Sequence, residues 1–209
     1  MLKSESLSHK LLLLCNHNFL NNLFFKVVFM SANISLRLTM RRLWSDHVIY
    51  TRCYIISALA ELPDAQATAT RLLKNQEDIG NAIIPYYGKP AGDKLTQLLK
   101  EHITIAVYLI AAAKTGDQKK FAEEDAKWTT NANQIAAFLS KANPNWPEKD
   151  VTDLLSLHLK LTKEEVVARL NKNWDEDIKK FDEIFTEIMV LADALSEGII
   201  KQFPEKFKS

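Results

Sequence analysis

Leu98-Leu99-Lys100-Glu101-His102 decides the reading of this chain, because two similar stretches flank it at nearly equal distance. Leu43-Trp44-Ser45-Asp46-His47 lies 55 residues earlier, and Leu154-Leu155-Ser156-Leu157-His158 lies 56 residues later. A turn follows each histidine at a similar distance: Leu62-Pro63-Asp64, Thr115-Gly116-Asp117 and Asn173-Trp174-Asp175. In each, the aspartate is placed to cap the next helix by accepting a free backbone N–H. A second helical pattern then runs to a break at Pro85, Pro144 and Pro204, where the fixed φ and missing N–H end regular structure. A unit recurring at such a period buries its apolar face against its neighbours. The pattern predicts an internal repeat of three helical hairpins, and so an all-α, up-and-down bundle of six long helices.

Apolar residues at alternating three and four spacing place the buried faces. The first hairpin is expected over Met40–Leu62, with Trp44, Val48, Thr51, Ile55, Ala58 and Leu62 inward, and Asp64–Ile84, with Ala69, Leu72, Gln76, Ile79 and Ile83 inward. Gln76 therefore falls on an apolar stripe, with Asn75 beside it, and a buried amide needs partners. The run from Pro85 to Asp93 is expected as the longest loop, with Asp93 capping the next helix. In the second hairpin His102 stands between Leu98, Leu99 and Ala106, and the return helix carries Phe121, Trp128, Ala132, Ile135 and Leu139. The third begins with Val151, Leu155 and His158. Thr162-Lys163-Glu164-Glu165 has the form of a capping box that breaks or kinks the helix. The last helix, Asp175 to Gln202, is expected to be the longest, about 40 Å at a rise of 1.5 Å per residue.

Of 209 residues, 47% are apolar and 25% charged, ordinary for a soluble chain with one sizeable core. Five glycines and six prolines leave few turns, as long helices require. Cys15 and Cys53 carry no metal or redox spacing and read as ordinary thiols. Residues 1–40 read as an extension outside the core, and 41–209 as a single domain. From Met1 to Arg42 six basic residues face one acid, whereas the remainder holds 21 basic and 25 acidic. Leu11–Cys15 and Leu23–Met30 are apolar but interrupted by Asn16, Asn18, Asn21, Asn22 and Lys26. They are too short for a membrane span and fit a secretory signal only loosely. The extension therefore reads as a degenerate export signal, a membrane-associated amphipathic segment, or an over-long start with Met30 or Met40 as the first residue. The compartment favoured is the cytoplasm, with export as the alternative.

Chemistry centres on the histidines. Equivalent hairpins bring His47, His102 and His158 to one height on the buried faces of three helices. Three imidazoles form a set that binds zinc, copper or iron with a fourth position left open. Asn75, Gln76 and Asp78, with Asn131, Asn133 and Asp193, are candidate acceptors for the second ring nitrogen. Arg52, one turn past His47, clamps an anion if it faces inward, and otherwise is solvated or pairs with an acid. The ordinary alternative is a polar core in which Thr51 and Thr162, one turn on, bond His47 and His158. No glycine-rich phosphate loop, serine elbow or cysteine–base pair is present. Mixed charge along the helices excludes a nucleic-acid stripe. Trp44, Trp128 and Trp174 are expected in hairpin packing and Trp146 as a plug under Pro147. Tyr86, Tyr87 and Trp146 are expected at the loop end, where a protein partner would dock.

The segments LWSDHVIYTR, RLLKNQEDIGNAI, PYYG, LLKEHI, NPNW and GIIKQFPEKF resemble a family of bacterial all-helical proteins over residues 42–207. The resemblance implies a helical bundle and singles out His47, Arg52, Asn75, Gln76, Asp78, His102 and His158 without giving them roles. Three functions follow as expectations: a bundle binding a metal ion or small ligand at the histidines, an interaction module acting through its loop end, and a hydrolase using a histidine-bound water with Asp78 as general base.

Overall fold

The computed structural model describes residues 32–208; expectations falling on residues 1–31 lie outside it. Among the described residues six α-helices follow one another: α1 (Ala32–Leu59), α2 (Ala65–Tyr87), α3 (Lys89–Thr115), α4 (Gln118–Ala142), α5 (Glu148–Leu170) and α6 (Trp174–Gln202). A short 3₁₀ turn, Pro204–Lys206, closes the described chain. Consecutive helices pack on one another and α6 packs back on α1, so the up-and-down bundle closes on itself. The odd-numbered helices also touch one another. They form an inner trio with α2, α4 and α6 packed around it.

The trio is layered. Counting from each histidine, the residues seven positions back are Met40, Leu95 and Val151, and those three back are Trp44, Leu99 and Leu155, all buried. His47, His102 and His158 follow, at 2%, 3% and 3% exposure. Eight residues on stand Ile55, Ile110 and Val166, which pack together as a separate small apolar cluster. The polar layer is thus sealed above and below by apolar side chains.

The three inner helices also end alike. Leu62, Asp117 and Asn173 each donate a backbone N–H to the carbonyl five residues back, on Ser57, Ala112 and Ala168. The residue before each donor has a positive φ: Glu61 (57°), Gly116 (72°) and Lys172 (56°). This left-handed closure satisfies carbonyls that a helix end leaves without partners.

Several boundaries differ from the sequence expectations. Helix α1, expected from Met40, is already formed at Ala32, the first described residue, and Leu36 and Met40 lie in the core. Arg37 pairs with Glu197, and Arg41 with Asp193, tying the N-terminal part of α1 to α6. The loop expected from Pro85 to Asp93 shrinks to one residue, Gly88 (φ 79°, ψ 166°). Proline in the last turn of α2 forfeits one N–H yet leaves the later residues helical, and Pro90 stands in the first turn of α3. Asp93, expected as a cap, lies inside α3 and pairs with Lys89 at 2.7 Å. Asp64 makes no side-chain cap, Asp117 accepts from Lys120 N, and at the third turn the cap is Asn173, which accepts from Glu176 N, instead of Asp175. Helix α5 passes through Thr162 unbroken, because Thr162 Oγ1 bonds the His158 carbonyl and not the start of a new helix. Leu62 and Trp174 are exposed, Trp174 lying under the Arg169 guanidinium.

Candidate functional site: a buried imidazole layer

His47, His102 and His158 come together. Ring centres stand 5.6 Å apart for His47–His158 and 6.5 Å for His102–His158. Trp44 meets His47 edge-on at 5.5 Å, and Trp128 leans on His102 at 5.1 Å. Two imidazoles sharing a tetrahedral ion through bonds of about 2.0–2.1 Å have ring centres about 5 Å apart. As placed the layer is slightly wider than that, and among the described residues no group of three or more His, Cys, Asp or Glu side chains is set to hold a metal ion.

The helices outside the trio hold the rings from behind. His102 Nδ1 lies 2.9 Å from Asn131 Oδ1, and Asn131 Nδ2 donates to the Leu98 carbonyl at 3.1 Å. The second bond fixes the orientation of the amide, so Oδ1 is the acceptor and His102 carries its proton on Nδ1. His158 Nδ1 lies 3.1 Å from Glu187 Oε2, again 29 residues along the chain. The same offset from His47 reaches Gln76. There the two tasks of Asn131 are divided: Asn75 Nδ2 donates to the Leu43 carbonyl at 2.9 Å, while Gln76 faces His47. Gln76 Nε2 donates to the Leu72 carbonyl at 2.8 Å, which points its Oε1 away from that bond. Hydrogen-bond geometry with His47 is not reached, since Gln76 Oε1 and His47 Nδ1 both lack a partner among the described residues.

Burial, reinforced by the neighbouring imidazoles, pushes His47 well below the ordinary histidine range and His102 down to about 3. Both rings are therefore neutral at physiological pH, and a ring protonated on Nδ1 offers its Nε2 lone pair. Around the same layer Trp44 Nε1, Trp128 Nε1 and Glu187 Oε1 are also buried without partners among the described residues. Buried polar atoms left so cost about 1–3 kcal/mol each and are uncommon in native interiors.

The remaining candidates divide. Thr51 and Thr162 bond the backbone carbonyls of His47 and His158, not their rings. Asp78 lies near the surface paired with Lys74 at 2.6 Å, and Asp193 is held by Arg41 at 2.5 Å. Asn133 is exposed. None of these three acts as a second-layer acceptor, and Asp78 is no general base for the imidazoles. Arg52 faces inward but is already occupied: it pairs with Glu165, with Asp177 Oδ1 at 2.9 Å, and stacks on Phe181 at 4.8 Å. Arg169 completes the group at 2.7 Å from Asp177. Burial pushes Glu165 up to about 7, with Arg52 pulling the other way.

The loop end is filled by the chain itself. Tyr87 OH donates to Gln202 and accepts from Asn143 Nδ2, each at 2.8 Å. Tyr86 stacks on Phe207 at 5.8 Å. Trp146 is buried and donates Nε1 to the Ala194 carbonyl at 3.1 Å. These residues fasten the C-terminal segment to the bundle. Among the described residues no helix is long and apolar enough to cross a membrane.

The sequence places Glu165 only in a capping box and gives no role to Glu187, Asp177 or Arg169. Glu187 had a signal, the 29-residue offset that also reaches Asn131, whereas the ion cluster has no comparable spacing. Compared with protein families, curated proteins and solved structures, the chain matches none.

Proposed function

We propose that the bundle is a metal-binding protein whose three hairpins are copies of one unit, each contributing one imidazole to a single transition-metal ion. The observation that carries this reading is the backing of the rings. Acceptors on α4 and α6 hold His102 and His158 by Nδ1, the arrangement that orients histidine ligands from behind and leaves Nε2 to the ion. Glu187 behind His158 makes a carboxylate–histidine pair, which raises the basicity of a ligating nitrogen. Buried imidazole nitrogens suit zinc or copper better than the hard cations that prefer oxygen. Contraction of the layer by roughly an ångström brings the ring centres to the separation of a shared tetrahedral ion. Copying one hairpin accounts for the recurrent left-handed closures and for Gln76, Asn131 and Glu187 at one offset.

Cobalt(II), a spectroscopically visible substitute for zinc, tests the reading. The metal-free protein titrated with Co²⁺ should saturate at one ion per chain with intense tetrahedral visible absorption. His158→Ala should weaken binding by roughly 100-fold, at the upper end of what loss of even an outer partner costs. Visible bands of weak octahedral type, unchanged in His158→Ala, would refute the assignment.

A further inference from the structure

Between α5 and α6 lies a surface groove of about 670 Å³. Leu154, Leu157, Leu161 and Val190 make its walls apolar, and Leu157 and Val190 are 42% and 53% exposed. Exposed apolar residues scattered singly need no explanation, but gathered in one groove they mark a place where another apolar surface sits. Asp182 and Glu183 stand on the rim, toward the start of α6. Lys179 beside them is paired with Glu176 and Glu183 with Lys180, while Asp182 has no ion pair among the described residues. The groove thus fits an amphipathic helix with a basic end.

The chain carries such a segment outside the described residues. In residues 10–24, Leu12, Leu13, Phe19, Leu20, Leu23 and Phe24 recur at three- and four-residue spacing, with only Asn16 interrupting that face, and Asn18, Asn21 and Asn22 fall opposite. Lys3 and Lys10 lie at its N-terminal end against a single acid, Glu5. The reach is also sufficient. Helix α1 runs back to Ala32 beside the C-terminal half of α6, where Arg37 pairs with Glu197 and Arg41 with Asp193. At 1.5 Å per residue the groove from Lys179 to Val190 is about 17 Å long, and Val190 stands roughly 18 Å along α6 from the level of Ala32. Extended chain from residue 24 to residue 32 spans up to about 26–29 Å, and residues 10–24 as a helix span about 22 Å.

We propose that residues 10–24 occupy the α5–α6 groove as an amphipathic helix parallel to α6, with the leucine and phenylalanine face on Leu157 and Val190 and Lys10 beside Asp182. Apolar burial drives the docking, and the acidic rim sets the direction of the helix, since exposed ion pairs add little affinity. This docking stands whether or not the imidazoles hold an ion.

Chymotryptic cleavage after Phe19 of the full-length chain, followed by mass spectrometry, reads the docking. In the wild type it should be slow, because a docked residue is cut only when the segment lifts away. Leu157→Asp and Val190→Asp, at exposed positions, should leave the core intact and speed cleavage roughly tenfold or more. Val167→Asp, exposed on α5 outside the groove, should keep the wild-type rate. In a Cys53→Ser background, a short bismaleimide should join Cys15 to Thr186→Cys on the groove within one chain, and should not join it to Thr104→Cys, exposed on α3. Equally fast cleavage in the wild type and both groove variants overturns the docking. Protection that survives both substitutions, crosslinks that join two chains, or protection that appears only with phosphatidylglycerol vesicles overturns it as well, assigning the segment to another face, a second copy or a lipid surface respectively.

Discussion

Asn131 bears more than its size suggests. Its two side-chain bonds, to His102 and to the Leu98 carbonyl, are buried, so removing them strands a ring N–H and a backbone carbonyl together. Asn131→Leu should cost about 2–4 kcal/mol, two unmet groups at about 1–3 each less the gain from added apolar surface. The shift in urea midpoint measures it, and a loss below about 1 kcal/mol would mean that water or another side chain takes over both bonds. Glu61 offers the opposite sign. It adopts a positive φ where the matching turn has Gly116, and a non-glycine residue pays about 1–2 kcal/mol there. Since glycine also loosens the unfolded chain, Glu61→Gly should raise stability by about 0.5–1 kcal/mol in the same assay. At this scale the sequence was partly legible. The histidines and Gln76 stood out as polar residues on apolar stripes, and the same test applied to the last helix would have found Glu187. The ion cluster of Arg52, Arg169, Glu165 and Asp177 was not legible, because charged residues near helix ends are usually solvated.

Helix pairing depends on where two backbones come close. A Cβ on Gly198 of α6 would stand 2.0 Å from Trp146 Nε1, and one on Gly80 of α2 would stand 2.6 Å from the Gly92 carbonyl of α3. Gly198→Ala should therefore dislodge the indole from the Ala194 carbonyl and cost about 1–3 kcal/mol, the range for overpacking a filled interior. Thermal unfolding and the quenching of Trp146 fluorescence report it; an unshifted midpoint would show that the Trp146 loop yields freely. The Gly80–Gly92 approach also explains why the expected nine-residue loop is a single glycine. Two helices that touch backbone to backbone are joined by Gly88 alone, with Tyr86 and Tyr87 kept helical by packing on Phe203, Phe207 and Trp146. Proline and glycine signal a break in sequence, and only the contacts of the neighbouring aromatics decide where the break falls. The existence and order of the helices followed from periodicity, while their ends followed from tertiary packing that no local pattern records.

For the whole molecule, the charge state of the interior sets the response to pH. His102 falls from 6.5 to about 3 on folding, and His47 falls as well, so between these values the unfolded chain binds protons that the folded chain refuses. Their stabilising contribution is full above pH 6.5 and is lost on acidification, at up to about 1.4 kcal/mol per pH unit for each ring. Glu165 acts oppositely: its rise from 4.5 to about 7 favours the folded state below 4.5 and is lost as pH rises toward 7. With His47 adding to His102 against one carboxyl, stability falls as pH drops below 6.5; below 4.5 Glu165 no longer opposes, and His102 continues the fall toward its value of about 3. Urea unfolding across pH 4–7 should show this, with a shallower slope in His102→Gln; a midpoint that rises on acidification would contradict it.

The central claim, that three hairpins converge on one ion, is tested most directly by metal content. The protein is purified without an affinity tag or chelator, its metals are quantified by mass spectrometry, and His102→Ala is treated in parallel. One zinc or copper per chain in the wild type, absent from a folded His102→Ala, is the result expected. Metal-free wild-type protein that also stays empty when supplied with zinc and copper, and is destabilised by His102→Ala, would contradict the claim and leave the imidazoles as a buried polar layer of the core.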